Sequence, residues 1–437
     1  MQTRPLMTIF GEVEVTRTGY GGHGIPSVHP LEATWNVPPE RSSHGVQHRG
    51  AVEAARHAFD DVVATIATTP GAHVPKRQAE QLVERAAQAF ATFDDTRRCA
   101  TPQEAQDTSR VLVLTVDGKG VPMRKAALRE GTRQAAEAHP SPHGPRRKPG
   151  ERAHTKRMAT VAAVYPITPW VRTPADIVRE LPPPPAVVSA RPRPDAKRVW
   201  ASLAPPPAAV IDQAFEEAAR RDPQHTKQWV ALVEGHPTPL GLLYAAAAVY
   251  GVTLCVVLDL LHVLQSLWKA AWALHPAGAP EAEPWVTARL EQLLRGRSQH
   301  MAAGMRRSAT VRGLTEAQRA PVDQWANYLL KYADFLHDDA YLAAGCPIAT
   351  GVIEGACRHL GKDRMEGTGA RWSLTGAEAV LRVRSLWVSG DFETYWRFHL
   401  EQEQTRNHAT HYAAGKVPMP GPNPRRQNKG THLRLIK

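Results

Sequence analysis

Cysteine is scarce in this chain: Cys99, Cys255, Cys346 and Cys357 are the four present among 437 residues. No two stand in the Cys-x-x-Cys spacing of a zinc or redox motif. Scattered cysteines of this kind argue against a disulfide scaffold and fit a reducing cytosol. Long apolar runs are missing too. The longest fall short of the roughly 20 residues a membrane span needs, and Met1-Gln2-Thr3-Arg4-Pro5 leads into no signal-peptide core. A soluble, cytoplasmic protein is expected. Acid is under-represented, with 42 Asp and Glu against 54 Lys and Arg, which gives a net charge of +12. That imbalance calls for an acidic partner, nucleic acid first.

What is present is a globular core composition, 42% hydrophobic, long enough for two or three domains. Residues 7–16 alternate as a short strand or hairpin. Val52, Ala55, Phe59, Val62, Val63 and Ile66 recur at helical spacing and predict one helix over 49–67. A second amphipathic stretch carries Ala79, Leu82, Val83, Ala86 and Phe90, and Lys76 and Arg77 open it. The pair has the outline of a helix-turn-helix or of a plain packing hairpin. Residues 1–100 thus read as a small, mostly helical N-terminal region.

Three short apolar runs each end in a carboxylate: Val111–Val116 before Asp117, Trp229–Val233 before Glu234, and Val252–Leu258 before Asp259. Their near-continuous apolar character suits strands covered on both faces. Asp117-Gly118-Lys119-Gly120 reads as a turn and Met158–Ile167 as another strand. Cys255, inside the third run, reads as a core residue. Residues 140–157 form a basic Pro/Gly-rich loop, and 181–207 a Pro-rich linker or loop inside the 105–262 block. Alternating strands and helices from 208 to 258 imply parallel strands in an α/β layer. Residues 263–345 are helical throughout, a helical insertion. Helices over 375–388 and 392–404 follow in the closing block 346–412. The tail, 413–437, carries Lys416, Arg425, Arg426, Lys429, Arg434 and Lys437 with no acid and is expected to be disordered.

In open α/β sheets, sites form at the carboxyl ends of strands. A fourth acid, Glu354, lies in Ile348-Ala349-Thr350-Gly351-Val352-Ile353-Glu354-Gly355-Ala356-Cys357-Arg358-His359. Two carboxylates about 4 Å apart repel by roughly 4 kcal/mol at an effective dielectric near 20. Such a cluster needs a raised pKa or a bound divalent cation, and oxygen-only ligands favour Mg²⁺ or Mn²⁺. Lys119, Arg124, Arg358, Lys362 and Arg364 flank these acids and would position a phosphate backbone. Taken singly, Asp117-Gly118 and Glu234-Gly235 also suit ordinary turns, and Asp259 suits a helix cap with His262 packed on the first turn.

Several stretches resemble bacterial insertion-sequence transposases of the Kra type, within the Mutator-like group. They are Asp117–Arg124, Arg157–Val161, Leu260–His275 and, most specifically, Gly351–His359 with Thr368-Gly369-Ala370-Arg371-Trp372. Val37–Gly45 and Val74–Glu80 add to the likeness, which spans roughly 7–412. The resemblance implies an RNase H-like catalytic core interrupted by a helical insertion, and divalent metal bound by an acidic triad. It also implies DNA cleavage and strand transfer at terminal inverted repeats and target DNA, by an assembled homo-oligomer. Asp259-Leu260-Leu261-His262 fits the group's Asp-x-x-His motif, which maps the triad as Asp117, Glu234 and Glu354. Lys76, Arg77 and Arg371 join the expected DNA-binding set. At the second acid the family pattern is Asp-Gly-Asn, whereas this chain has Glu234-Gly235-His236. That departure keeps two alternatives in view: a catalytically impaired, transposase-derived DNA-binding protein, and a metal-dependent nuclease of the same fold.

Overall fold

The structure is a computed structural model. It describes residues 2–23, 27–68, 73–99, 110–138, 154–179, 191–276, 278–417 and 433–435. Most of the basic loop 140–157, the oligoproline start of the Pro-rich segment and most of the basic tail lie outside these residues.

Strands β1 (Gln2–Thr8) and β2 (Gly11–Arg17) form an antiparallel hairpin. The centre of the molecule is a second sheet of five strands: β3 (Val111–Pro122), β4 (Lys156–Ile167), β5 (Arg198–Ser202), β6 (Gln228–Val233) and β7 (Leu254–Leu258). Their order across the sheet is β5-β4-β3-β6-β7. β4 runs antiparallel to both β3 and β5, while β3, β6 and β7 are mutually parallel. The fold is therefore mixed α/β. Strand β8 (Leu433–Leu435), in the tail expected to be disordered, pairs antiparallel with β2.

Both faces of the central sheet are covered, which is why its strands are apolar almost throughout. Along β4 the side chains alternate. Ala162 and Val164 pack with the helices Pro207–Arg221, Leu260–Leu274 and the insertion, while Ala159, Val161 and Ala163 pack with helices from the two ends of the chain. Those end helices are His44–Arg56, Phe59–Ala67, Lys76–Ala86, Leu374–Ser389 and Phe392–Asn407. The region 1–100 thus shares one core with the C-terminal helices. The insertion comprises Ala282–Leu294, Ser298–Val311, Glu316–Lys331 and Asp338–Ala343, following Leu260–Leu274.

Four sequence expectations are corrected. The single helix over 49–67 is two helices, broken at His57 and Ala58, both extended. Asp60 and Asp61 then occupy the first turn of the second helix, where its dipole favours negative charge. The turn expected at Asp117–Gly120 is strand instead, because Asp117, Gly118, Lys119 and Gly120 pair in register with Val161, Thr160, Ala159 and Met158. β5 lies inside the segment expected to be linker, and its five residues are too few to show a period. Cys255 is half-buried, at the edge of the core.

Candidate functional site

β3 outlasts its parallel neighbour. It pairs with β6 only over Val111–Thr115, where Thr115 Oγ1 donates to Leu232 O at 3.1 Å. Past that point β3 is held by β4 alone, and β6 gives way after Val233. Asp117 therefore stands beside the gap where β6 ends, and Glu234 is the first residue beyond that end. Both sit at the carboxyl side of the parallel strands, where open sheets gather ligands.

The chain leaves β6 through a constrained turn. Gly235 has φ +79°, and a Cβ there would lie 2.7 Å from Tyr328 Oη and 2.9 Å from Leu258 Cδ1. Tyr328, from the insertion helix Glu316–Lys331, donates its hydroxyl to Glu234 O at 2.8 Å. His236 caps the next helix, and Pro237 and Pro239 fall in its first turn, where proline is tolerated.

Asp259 is placed differently from its neighbours. Its carboxylate is buried and holds three amides, accepting from Leu261 N and His262 N at 3.2 Å each and from Thr350 N at 2.8 Å. Leu260 N adds a bond to Ile348 O at 2.9 Å. Asp259 is thus the N-cap of Leu260–Leu274 and also the clamp on the segment leading into Gly351–Ala356, the short helix that carries Glu354. His262, half-buried, packs beside Tyr328 and Trp325 with ring centroids 5.9 and 6.4 Å away. Burial pulls its pKa down, against the attraction of Asp259.

The electrostatics tie the acids together. Glu234's carboxyl is pushed up to about 7, first by loss of solvent on its protein side, then by Asp117, Asp259 and Glu354. Four acids from separate segments therefore share one negative field. Asp117 Oδ1 accepts from Gly118 N at 2.5 Å, and Cys357 Sγ donates to Asp117 Oδ2 at 3.0 Å. Cys357 begins a π-helical turn, Cys357–Lys362, directly after the helix of Glu354. π-turns inside helices often mark functional sites. Burial pushes the Cys357 thiol up, with Asp117 adding to it, so the sulfur stays protonated and able to donate. Among the described residues, no three His, Cys, Asp or Glu side chains already form a set that could hold a metal ion.

Of the expected phosphate-binding cations, Lys119 lies closest in sequence to the acids, 3.6 Å from Glu366, which also binds Lys156 at 2.7 Å. Arg358 and Lys362 are exposed on the π-helical turn, Arg358 facing Asp363 at 3.6 Å. Lys76 and Arg77 are exposed at the start of their helix, with Lys76 paired to Asp60 at 2.8 Å. Arg124 and Arg371 are exposed neighbours, Arg124 Nε reaching Arg371 O at 3.4 Å. Arg364 is not on the surface: it is 5% exposed and stacked on Phe59 and Trp372. Sequence reasoning gave no role to Cys357 or Tyr328. Cys357 could have been found from its position three residues after Glu354, on the same helical face. Tyr328 comes from the insertion, and no local pattern links it to Glu234.

No family model matches the chain, and no curated protein matches it. Among solved structures it is similar to the Drosophila P element transposase strand transfer complex. The TM-score is 0.26 at 8% identity, covering 82% of this chain and 80% of that one. A score that low does not establish a shared fold. Among the described residues, no helix is long and apolar enough to cross a membrane.

Proposed function

We propose that this protein is a DNA transposase of the insertion-sequence kind its motifs resemble, with an RNase H-like core and a triad of Asp117, Glu234 and Glu354. The observation that carries this reading is geometric: Asp117 stands beside the end of β6, Glu234 is the first residue beyond that end, and Cys357, three residues after Glu354, bonds Asp117 at 3.0 Å, with Glu234's carboxyl raised in the company of those acids. Burial is the larger cause of that rise, and the repulsion from the neighbouring acids that adds to it is what a divalent cation relieves. The strand order, with β4 alone reversed, supports the core assignment.

The three acids are not gathered into a metal-holding set among the described residues; drawn together on an ion, their all-oxygen donors would suit Mg²⁺ or Mn²⁺. Asp117, Glu234 and Glu354 would hold the metal, which when bound activates a nucleophilic oxygen and stabilises the leaving one. The chain's own residues prepare the place. Asp259 clamps the segment that carries Glu354, Tyr328 fixes the backbone of Glu234, and Cys357 orients Asp117. Lys119, Arg358 and Lys362 border the acids and would bind DNA phosphates. The protein would act in the cytoplasm on the nucleoid, as a homo-oligomer holding two element ends.

A second reading, a DNA-binding protein that no longer cuts, is supported by two observations. Glu234 is one methylene longer than the aspartate of the family pattern, and reacting geometries are sensitive to shifts near 1 Å. Both oxygens of Asp117 are also already engaged within the chain. The deciding experiment incubates the full chain with Mg²⁺ or Mn²⁺ and labelled DNA carrying the inverted repeats that flank its reading frame. Nicking and joined products are expected from the wild type, and neither from Asp117→Asn. Equal activity of Asp117→Asn would refute the triad. An inert wild type rescued by Glu234→Asp would establish the impaired reading, and cut ends without joined ones would indicate a nuclease.

A further inference from the structure

A cavity of about 370 Å³ is walled by the end of β4 on one side and by the run from Gly345 to Val352 on the other. Val113 pairs with Tyr165, and Asp117 with Val161. Side chains alternate along a strand, so Tyr165, at the cavity, and Asp117 leave the same face of the sheet. Tyr165 is four residues from Val161, about 13 Å along β4. Two more lining residues flank the acids in the chain. Leu261 is two residues past Asp259, and Val352 is two residues before Glu354.

The walls are fixed by their own bonds. Trp170 N donates to Gly345 O at 2.9 Å, and Arg172 Nη2 donates to Cys346 O at 2.9 Å. Gly345 has φ +74°, and a Cβ there would meet Trp170 N at 2.6 Å, so the close approach of the two loops requires glycine. Further along, Ile348 O accepts from Leu260 N and Thr350 N donates to Asp259. Tyr165 and Ile348 are buried at the inner end, while Thr168, Arg191 and Gly351 are exposed at the opening.

The lining is apolar with one basic edge. Trp170, half-buried, has the guanidiniums of Arg172 and Arg191 4.7 and 5.9 Å from its ring centroid. Among the described residues that line the cavity there is no carboxylate. The matching ligand is flat, apolar on its faces and attached to negative charge. A hydrocarbon would leave the arginines without a counterpart, and inorganic phosphate would leave the apolar walls without one. A nucleobase on its phosphodiester strand supplies both, because bases stack on aromatic rings and on guanidinium planes. A base inside a duplex is covered by its neighbours, so the base must be unpaired.

We propose that this cavity takes an unpaired nucleobase of the DNA strand that passes the acids. Trp170 is its stacking surface, Tyr165, Ile348 and Leu261 face it from the apolar walls, and Arg172 and Arg191 meet the adjoining phosphates. This rests on the DNA-binding part of the proposed function and not on the cleavage chemistry. The 13 Å between the levels of Tyr165 and Asp117 is about four stacked nucleotides at 3.4 Å each. One strand therefore reaches from the acids to the cavity.

The test uses the full chain with chelator and a short fluorescein-labelled single strand, read by anisotropy. The reference is a strand of the same length and charge whose bases are replaced by abasic sites. The intact strand is expected to bind about tenfold tighter than the abasic one. Trp170→Ala should bring that ratio to about one, and Trp170→Phe should restore most of it. Ala349→Phe, which fills the cavity and leaves Trp170 in place, should also bring it to about one. Arg191→Gln should weaken binding of both strands and lower the slope of log affinity against log salt by about 0.7. A wild-type ratio near one overturns the assignment. So does a ratio that neither Trp170→Ala nor Ala349→Phe changes, which would put the base contact elsewhere. Deoxyadenosine monophosphate is the second probe. If wild type binds it, Ala349→Phe does not, and the strand ratio stays near one, the cavity is a site for a free nucleotide and the assignment also falls. A chain that shows the ratio but never cuts would refute the transposase reading alone. A chain that cuts with a ratio near one would refute the cavity alone.

Discussion

Asp259 is the acid whose role the structure changes most, and replacing it separates a clamp from a metal ligand. Its carboxylate accepts from Leu261 N, His262 N and Thr350 N, and Asp259 and Thr350 are both 3% exposed. Asp259→Ala removes an N-cap, worth about 1 kcal/mol, and strands a buried amide on Thr350, worth about 1–3 kcal/mol. The expected loss is about 2–4 kcal/mol of folding free energy. Asp259→Asn keeps one oxygen that can still accept from Leu261 N and Thr350 N but turns an amide donor toward His262 N, so it gives up that bond and the charge at the helix terminus, about 1–2 kcal/mol in all and less than the alanine variant. Glu234→Gln, at an exposed carboxylate repelled by its neighbours, should cost nothing in metal-free buffer and should stabilise slightly. Urea unfolding of the full chain at pH 7 with chelator reads all three. Asp259→Ala within about 0.5 kcal/mol of wild type, or Asp259→Asn as damaging as Asp259→Ala, would refute the clamp. Destabilisation by Glu234→Gln would show that the acids do not repel one another as placed.

Gly235→Ala should cost about 1–3 kcal/mol for its left-handed backbone alone. It should cost more through the contacts with Tyr328 and Leu258, whereas Gly251→Ala, at φ +64° with open space around it, pays only the backbone cost; thermal melts of the two variants compare them directly. Glu217 is fully buried at the hub of Arg97, Arg198, Arg220 and Arg221. Burial opposes its ionisation, but Arg221, Arg198, Arg97 and Arg220 together hold its pKa far below normal. Glu217→Ala leaves Arg97 and Arg198 with Asp391 and Asp94 but strips Arg220 and Arg221 of their buried partner and should cost about 3–5 kcal/mol, and a denaturation midpoint unchanged from wild type would contradict this. Asp338 is pushed up to about 7 by burial and by Asp339. Its folded pKa exceeds its unfolded one, so its contribution is intact below about pH 4 and is lost as pH rises through 7. Asp338→Asn should therefore flatten the decline in stability between pH 5 and about pH 8, with most of its gain at the alkaline end. Urea midpoints across that range test it, and an equal gain at both ends would count against the shift.

Much of the scaffold was legible because hydrophobic period is a local property. The runs before Glu234 and Asp259 became β6 and β7, and the helices 375–388 and 392–404 appeared within a few residues of expectation. Where the reading failed, the deciding contact was distant. Asp117-Gly118-Lys119-Gly120 has the composition of a turn, yet pairing with Met158–Val161 extends it as strand. Arg364 has the composition of a phosphate ligand, but two aromatic rings and the carbonyl of Ala54 bury it.

The sequence by itself determined where most of the apolar strands lie, that Glu234 and Asp259 directly follow two of them, that the chain is strongly basic, and where the Gly351–His359 motif lies. These follow from residue type and spacing along one stretch of chain. Only the tertiary structure decided that Asp259 is spent as a cap while Glu234 stands open, that Cys357 donates to Asp117, and that Tyr328 reaches the backbone of Glu234 from the insertion. Each depends on which groups remain unsatisfied once distant segments pack, and hydrogen-bond satisfaction is a property of the folded neighbourhood rather than of any local pattern.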